Sequence, residues 1–250
     1  MVAENEHAAR GRQGRENVSA SGEGWTLIQI GNLFAAGTVV PLDAPKALDY
    51  YGRAAAAGLM PGLALMGNVY KTGLGTVSPD PARAAQLFER AAAGKDNTGR
   101  VQLSLMLLDG SDIPRDVQRA VGLLKDASAS KDLWSTTILA SLYVDGRFLA
   151  PDYAEAKKYS ELALALGSKD AMLQFGVGLV TGPLSAQHAA EGVALIRASA
   201  AANIPGAAMQ YGRMLLLGKL GQAASVDAIG VLSKAIESGD AGALRILVQA

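Results

Sequence analysis

The sequence predicts an all-α protein, an α-solenoid of six helix-turn-helix repeats followed by a partial seventh. Three observations predict this fold. A small residue, here called the anchor of its repeat, recurs at spacings of 36 or 37 residues, and a glycine follows every anchor by six positions. An apolar pattern with helical period follows each of these glycines. The six anchors are Gly31, Gly67, Ser104, Ala140, Gly176 and Gly212.

The first helix of each repeat surrounds its anchor. Large apolar residues stand directly before the anchor and three positions after it, as Met66 and Tyr70 do around Gly67. A small residue between two large neighbours allows two helices to approach closely. The glycine six positions after the anchor begins the loop that ends this helix; the six are Gly37, Gly73, Gly110, Gly146, Gly182 and Gly218.

The second helix of each repeat carries apolar residues at positions i, i+3, i+4, i+7 and i+8. The second repeat shows the pattern as Ala84, Leu87, Phe88, Ala91 and Ala92. Pro81 suits the first turn of that helix. Glycines are predicted to close three second helices, at Gly58, Gly167 and Gly239. In the fifth repeat the apolar pattern begins one residue later than in the others. An aspartate four residues before the pattern is the predicted N-cap in four repeats: Asp43, Asp80, Asp116 and Asp152.

The repeats set the expected domain organisation. We expect a flexible leader at 1–24 and one solenoid at 25–250, with repeats at about 25–60, 61–97, 98–133, 134–169, 170–205, 206–239 and a partial one at 240–250. In the partial repeat the anchor falls at Val248, and the sequence stops before the next loop glycine. We therefore expect a fragment of a longer repeat protein, with an exposed end prone to self-association.

Composition argues against several function classes. The 23 Lys and Arg residues balance the 23 Asp and Glu residues, which disfavours a nucleic-acid partner. The absence of cysteine excludes disulfides, zinc fingers and a cysteine nucleophile, and His7 and His188 are the only histidines. No base–nucleophile pair stands out, and no stretch is apolar enough to predict a transmembrane helix. The sequence predicts neither an enzyme nor a bound metal or cofactor.

The residues of the fourth repeat identify a family. The run Leu139–Gly146 followed by Pro151–Ala156 resembles Sel1-like repeats, which are relatives of tetratricopeptide repeats, and the resemblance covers about 25–250. It implies a right-handed α-solenoid that acts as an adaptor or scaffold. Bacterial relatives are often found in the envelope, including a periplasmic scaffold of exopolysaccharide export. The resemblance thus favours the periplasm, and the cytoplasm is the alternative because no signal peptide is evident.

The resemblance also suggests where a partner would bind. In tetratricopeptide-like solenoids the side of the first helix that faces away from the core lines the concave surface. Counting about 100° per residue from the anchor, this side holds positions −6, −3, +1 and +4. It carries more apolar and aromatic residues than a solvated face would. The predicted partner-binding residues are Trp25, Ile28, Asn32, Asn68, Lys71, Val101, Leu105, Leu108, Trp134, Thr137, Ser141, Leu173, Val177, Met209 and Arg213.

Two structural outcomes and two functions stay open. The concave face is either open to a partner or closed by curvature that buries its residues against neighbouring first helices. The leading function is a non-enzymatic adaptor that holds an extended segment or a helix of a partner protein in the concave groove. The alternative is a periplasmic scaffold of a polysaccharide synthesis or secretion complex, in which Trp25, Trp134, Asn32 and Asn68 would contact glycan directly.

Overall fold

The computed structural model describes residues 22–220, 222–237 and 241–249. These ranges form thirteen helices and contain no strand beyond an isolated bridge between Leu74 and Val77. The predicted all-α fold is confirmed. The helices are α1 (22–36), α2 (Ala44–Ala56), α3 (Pro61–Thr72), α4 (Pro81–Ala93), α5 (Asn97–Asp109), α6 (Val117–Ala129), α7 (Leu133–Asp145), α8 (Tyr153–Ala165), α9 (Ala171–Thr181), α10 (Ser185–Ala201), α11 (Ala207–Leu216), α12 (Gln222–Glu237) and α13 (Ala241–Gln249).

Contacts divide the chain after Leu123, within α6, into an N-terminal body and a C-terminal body. Among the described helices, none is long and apolar enough to cross a bilayer. Most of the expected leader lies outside the described residues, as does Gly239. Helix α1 begins at residue 22 and so includes the last three residues of the range 1–24.

The predicted aspartate caps are confirmed. Each carboxylate accepts a hydrogen bond from the backbone N–H three residues later, at 2.9 to 3.0 Å: Asp43 from Lys46, Asp80 from Arg83, Asp116 from Arg119 and Asp152 from Glu155. The backbone N–H of each aspartate in turn donates to the last turn of the preceding first helix, as Asp80 does to the carbonyl of Tyr70 at 2.6 Å. These hydrogen bonds fix where each second helix starts relative to the first helix before it. They also pair backbone groups that a helix end would otherwise leave without a partner.

The fifth repeat is irregular in the structure as in the sequence. Five of the six loop glycines have a φ between 62° and 75°, in the left-handed region, but Gly182 has a φ of −91°. The loop is shorter here, because α10 begins at Ser185, three residues after Gly182. A Cβ at Gly182 would lie 2.6 Å from the carbonyl oxygen of Gly178, so this glycine is required by close contact rather than by its dihedral angle.

In the N-terminal body, aromatic rings from second helices cover the anchors of first helices. A Cβ added at Gly31 would lie 2.6 Å from the ring of Tyr51, and one added at Gly67 would lie 2.5 Å from the ring of Phe88. Both rings are fully buried. The small anchors therefore make room for the largest side chains of this core, as the sequence predicts.

In the C-terminal body, α9 and α10 meet through two glycines. A Cβ at Gly176 on α9 would lie 2.9 Å from the carbonyl oxygen of Gly192 on α10, and a Cβ at Gly192 would lie 2.6 Å from that of Gly176. Further along, the buried Tyr211 donates to Asp227 at 3.0 Å. Burial, together with this hydrogen bond, raises the pKa of Tyr211 to about 12. Asp227 also pairs with Arg197 at 2.8 Å, so one carboxylate joins α10, α11 and α12.

Candidate functional site

The predicted partner-binding face separates into two rows in the structure. Positions three before and four after the anchor form an inner row, and positions six before and one after form an outer row. Inner-row side chains turn toward the neighbouring first helix, because first helices contact each other within each body, α3 with α5 and α7 with α9. Four inner-row residues of the predicted face are at most 4% exposed, so their side chains belong to the core: Ile28, Val101, Leu108 and Leu173.

The outer row is the accessible part of the face. Trp25 and Trp134 hold the same repeat position, six before the anchor, and each is 49% exposed. Among the other predicted residues of this row, Asn32, Ser141 and Arg213 are exposed, whereas Asn68, Leu105 and Val177 are partly buried. The inner-row residues Lys71, Thr137 and Met209 are also partly buried. Each body therefore carries its own part of the candidate site, formed by its outer-row residues together with Lys71 in the N-terminal body and Thr137 and Met209 in the C-terminal body.

Polar contacts organise this face in the N-terminal body. The hydroxyl of Tyr51 donates to Oδ1 of Asn32 at 2.8 Å. The amide N–H groups of Asn32 take no part in this hydrogen bond. Nζ of Lys71 on α3 donates to Oε1 of Gln102 on α5 at 3.1 Å. This hydrogen bond joins two first helices, so the position of the Lys71 ammonium group depends on both.

In the C-terminal body a narrow groove of about 200 Å³ lies between α7, α8 and α9. The predicted residues Thr137, Ser141 and Val177 line it, and Asp145 and Gln174 add polar groups. Gly178 lets α7 and α9 approach, since a Cβ there would lie 2.8 Å from the side chain of Val144. We call this feature the α7–α9 groove.

Two glutamines that border the predicted face, Gln102 and Gln174, were not predicted to take part in the site. Both stand two positions before an anchor, about 160° around the helix from it and outside the arc taken as the binding face. A periodic signal marks them, since glutamine holds this position in four of the six repeats: Gln29, Gln102, Gln174 and Gln210. The long side chain of Gln102 reaches back toward a neighbouring first helix, where it contacts Lys71.

A polar cluster outside the candidate site joins α8 to α10. The hydroxyl of Tyr153 lies 2.8 and 2.9 Å from the two carboxylate oxygens of Glu191, and Nζ of Lys157 donates to Glu191 at 3.3 Å. The ring of His188 stacks on that of Tyr153, with centroids 3.9 Å apart. The hydrogen bond from Tyr153 and the charge of Lys157 hold the pKa of Glu191 below its usual range. The cluster therefore links the second helices of two successive repeats, α8 and α10.

A family model for the Sel1 repeat matches residues 27–59, 61–96, 99–132 and 137–168, more than half of the chain. The chain belongs to the Sel1 repeat family. The four matched segments lie within the first four predicted repeats. Sel1 repeats generally serve as protein-interaction scaffolds and are typically non-catalytic. A comparison with curated proteins finds no match.

Two solved structures are similar to this Sel1 repeat chain. One is c5321, a protective antigen of uropathogenic Escherichia coli strains with an SLR fold, at 22% identity and a TM-score of 0.68 over 92% of this chain. The chain spans about half (49%) of that structure. The other is a Sel1 repeat protein from Oxalobacter formigenes, at 22% identity and a TM-score of 0.62, covering 85% of this chain and 88% of that one. At this identity the likeness shows the fold, an α-solenoid.

Proposed function

We propose that this Sel1 repeat chain is a non-enzymatic scaffold that holds an extended segment or a helix of a partner protein along the outer row, in a concave groove. The observation that carries the proposal is the half-exposed tryptophan at the same repeat position in both bodies, Trp25 and Trp134. A large apolar ring left half in water gains most when a partner covers it, and tryptophan is enriched among residues that dominate binding energy.

The α7–α9 groove has a size that suits one side chain of a bound protein segment. Pockets for small ligands usually have about 300 to 1,000 Å³. The groove has about 200 Å³, enough for a side chain of a bound segment. Its lining joins apolar Val177 and Phe175 to the hydroxyls of Thr137 and Ser141, a mixture suited to an apolar side chain and the polar backbone that carries it.

Two matched variants test the proposal. Trp134→Ala removes an outer-row side chain that is 49% exposed, and Leu164→Ala removes an α8 side chain that is 48% exposed and lies outside the face. Immobilised wild type and the Leu164→Ala control should retain the same partner protein, and Trp134→Ala should lose it. Equal retention by both variants, with both folded by circular dichroism, would place the partner elsewhere and overturn the proposal.

A second candidate is direct glycan contact in an envelope polysaccharide complex. The observation that favours it is the exposed Trp25 on the same helix face as Asn32, because an aromatic ring and an amide are the groups that stack on and hydrogen-bond to sugars. Binding on a glycan array that disappears in Trp25→Ala supports this candidate. An array without binding, together with a captured protein partner, excludes it.

A further inference from the structure

We infer that Lys71 is the docking point for a carboxylate of the partner, so that the N-terminal body recognises an acidic side chain or the free carboxyl end of an extended protein segment. This inference rests on the proposed function and names the chemistry that one part of the same face selects. It concerns a patch on α3 and α5, here called the Lys71 patch, that consists of Asn68, Lys71, Gln102 and Leu105.

Lys71 is a partly buried cation whose hydrogen-bond partner carries no charge. Its Nζ donates to Oε1 of Gln102 at 3.1 Å. No carboxylate of the described residues lies within salt-bridge distance of it, by contrast with Lys46, which pairs with Asp43 at 2.9 Å. Removing an ammonium group partly from water costs free energy that a neutral amide offsets only in part, so a carboxylate would complete the site.

Other cations of the N-terminal body do not share this environment. Arg100 is also partly buried, but it donates to Oδ1 of Asn97 at 3.0 Å and has further interactions. Lys95 is exposed, so water solvates it. Arg53 and Arg119 are exposed and pair with acidic residues of the same body. Lys71 therefore combines partial burial, fixed position and a charge that is not neutralised within the described part of this body.

The rest of the Lys71 patch supplies what an extended segment requires. Asn68 lies one turn before Lys71 on the same side of α3, and its side chain has no hydrogen-bond partner among the described residues. An amide both donates and accepts, so Asn68 suits a peptide group next to the bound carboxylate. Leu105, three positions after Gln102 on α5, is partly buried and offers an apolar contact beside the charge.

Gln102 is the positioning residue of this arrangement. Its Oε1 holds the ammonium group of Lys71, and two further ammonium hydrogens remain for an incoming carboxylate. Because Gln102 uses only one of the three ammonium hydrogens, a carboxylate can bind to the others without replacing the Gln102 contact, and its charge makes those hydrogen bonds stronger than one to a neutral acceptor. Because Lys71 and Gln102 lie on different first helices, the site forms only when these two helices are packed together.

Selection of peptides tests the inference. The probes are two libraries of short random peptides, one with amidated ends and one with free carboxyl ends, each selected on the wild-type protein. We expect enrichment of Asp or Glu at one position in the amidated library, or enrichment of the free-end library, which distinguishes a side chain from a terminal carboxylate. A selected peptide should bind Lys71→Met about 10-fold or more weakly, and its affinity for the wild type should fall with added salt.

Three variants make the test specific. Lys95→Met removes an exposed charge of the same body and should leave affinity unchanged. Gln102→Leu should weaken binding less than Lys71→Met does. Lys71→Glu should shift selection toward Lys or Arg at the same peptide position, which a purely structural role of Lys71 would not produce.

The outcomes separate this inference from the proposed function. Peptides that bind the wild type, lose binding in Trp25→Ala or Trp134→Ala, and show neither acidic preference nor sensitivity to Lys71→Met would overturn the inference and leave the scaffold proposal standing. Selection of peptides that bind all of these variants equally would overturn both.

Discussion

The ring of Phe88 lies directly against the backbone of Gly67, so that a Cβ added at Gly67 would be 2.5 Å from its Cε1 atom. Tyr51 stands in the same relation to Gly31 in the preceding repeat. In both repeats the second helix places its largest side chain against a glycine of the first helix. This pairing of a small anchor with a large ring sets the spacing of the two helices and hence the direction of the outer row.

Gly67→Ala should lower the free energy of unfolding by about 1–3 kcal/mol, because the buried Phe88 ring has to move to accommodate even one methyl group. Gly122→Ala is the matched control. Gly122 is also helical, but nothing lies within 4 Å of an added Cβ, so the change should stabilise the helix by about 0.5–1 kcal/mol. Urea unfolding of the two variants measures both effects, and a stabilising Gly67→Ala would show that this packing is wrong.

The aspartate cap of α4 should contribute about 1 kcal/mol. Asp80→Ala removes the acceptor of the 2.9 Å hydrogen bond from the backbone N–H of Arg83 and should lower the midpoint of unfolding. Asp80→Asn keeps a side-chain oxygen at that place and should have a much smaller effect. If the two variants unfold alike, the cap does not act through this hydrogen bond.

The polar cluster around Glu191 should make the stability of the C-terminal body depend on pH. The hydrogen bond from Tyr153 lowers the pKa of Glu191 from its ordinary value of 4.5. A carboxylate with a lowered pKa stabilises the fold above its unfolded pKa, and this contribution is lost as the pH falls through the folded pKa. The effect should be small, since 35% of the Glu191 side chain is exposed.

Thermal unfolding at several pH values checks this expectation. The wild type should be more stable than Glu191→Gln at neutral pH, and the difference should shrink below pH 4.5. Tyr153→Phe should reduce the same difference, because it removes the strongest contact of the carboxylate. A difference that does not change with pH would mean that Glu191 stabilises the cluster by packing alone.

The two tryptophans report on the outer row before any partner is known. The sequence contains only Trp25 and Trp134, so Trp25→Phe and Trp134→Phe each leave a single emitter. Both tryptophan residues are 49% exposed, and acrylamide should therefore quench both variants readily. Emission that resists quenching in either variant would show that its tryptophan is buried and that the outer row is assigned incorrectly there.

Repeat periodicity made the helices and caps predictable. The anchors, the loop glycines and caps such as Asp80 recur at fixed intervals, and each has a local physical reason that does not depend on distant contacts. Gly182 is the exception. It holds the same repeat position as the other loop glycines, but the shorter loop before α10 gives it a different backbone conformation.

The candidate site was less predictable, since its exposure depends on packing between repeats. The inner row and the outer row differ by only about 40° to 80° around the helix. Val101 and Leu105 fall in the same predicted face, yet Val101 is buried and Leu105 only partly so. Gln102 was outside the predicted arc, and its length brings it to Lys71.

The central claim is that a partner lies on the outer row, and site-specific photo-cross-linking tests it most directly. A photoreactive residue replaces Ser141, which is exposed in the α7–α9 groove, or Leu164, which is exposed on α8 outside the face. We predict one discrete adduct with a partner protein from position 141 and none from position 164. An adduct from position 164, with none from position 141, would contradict the account.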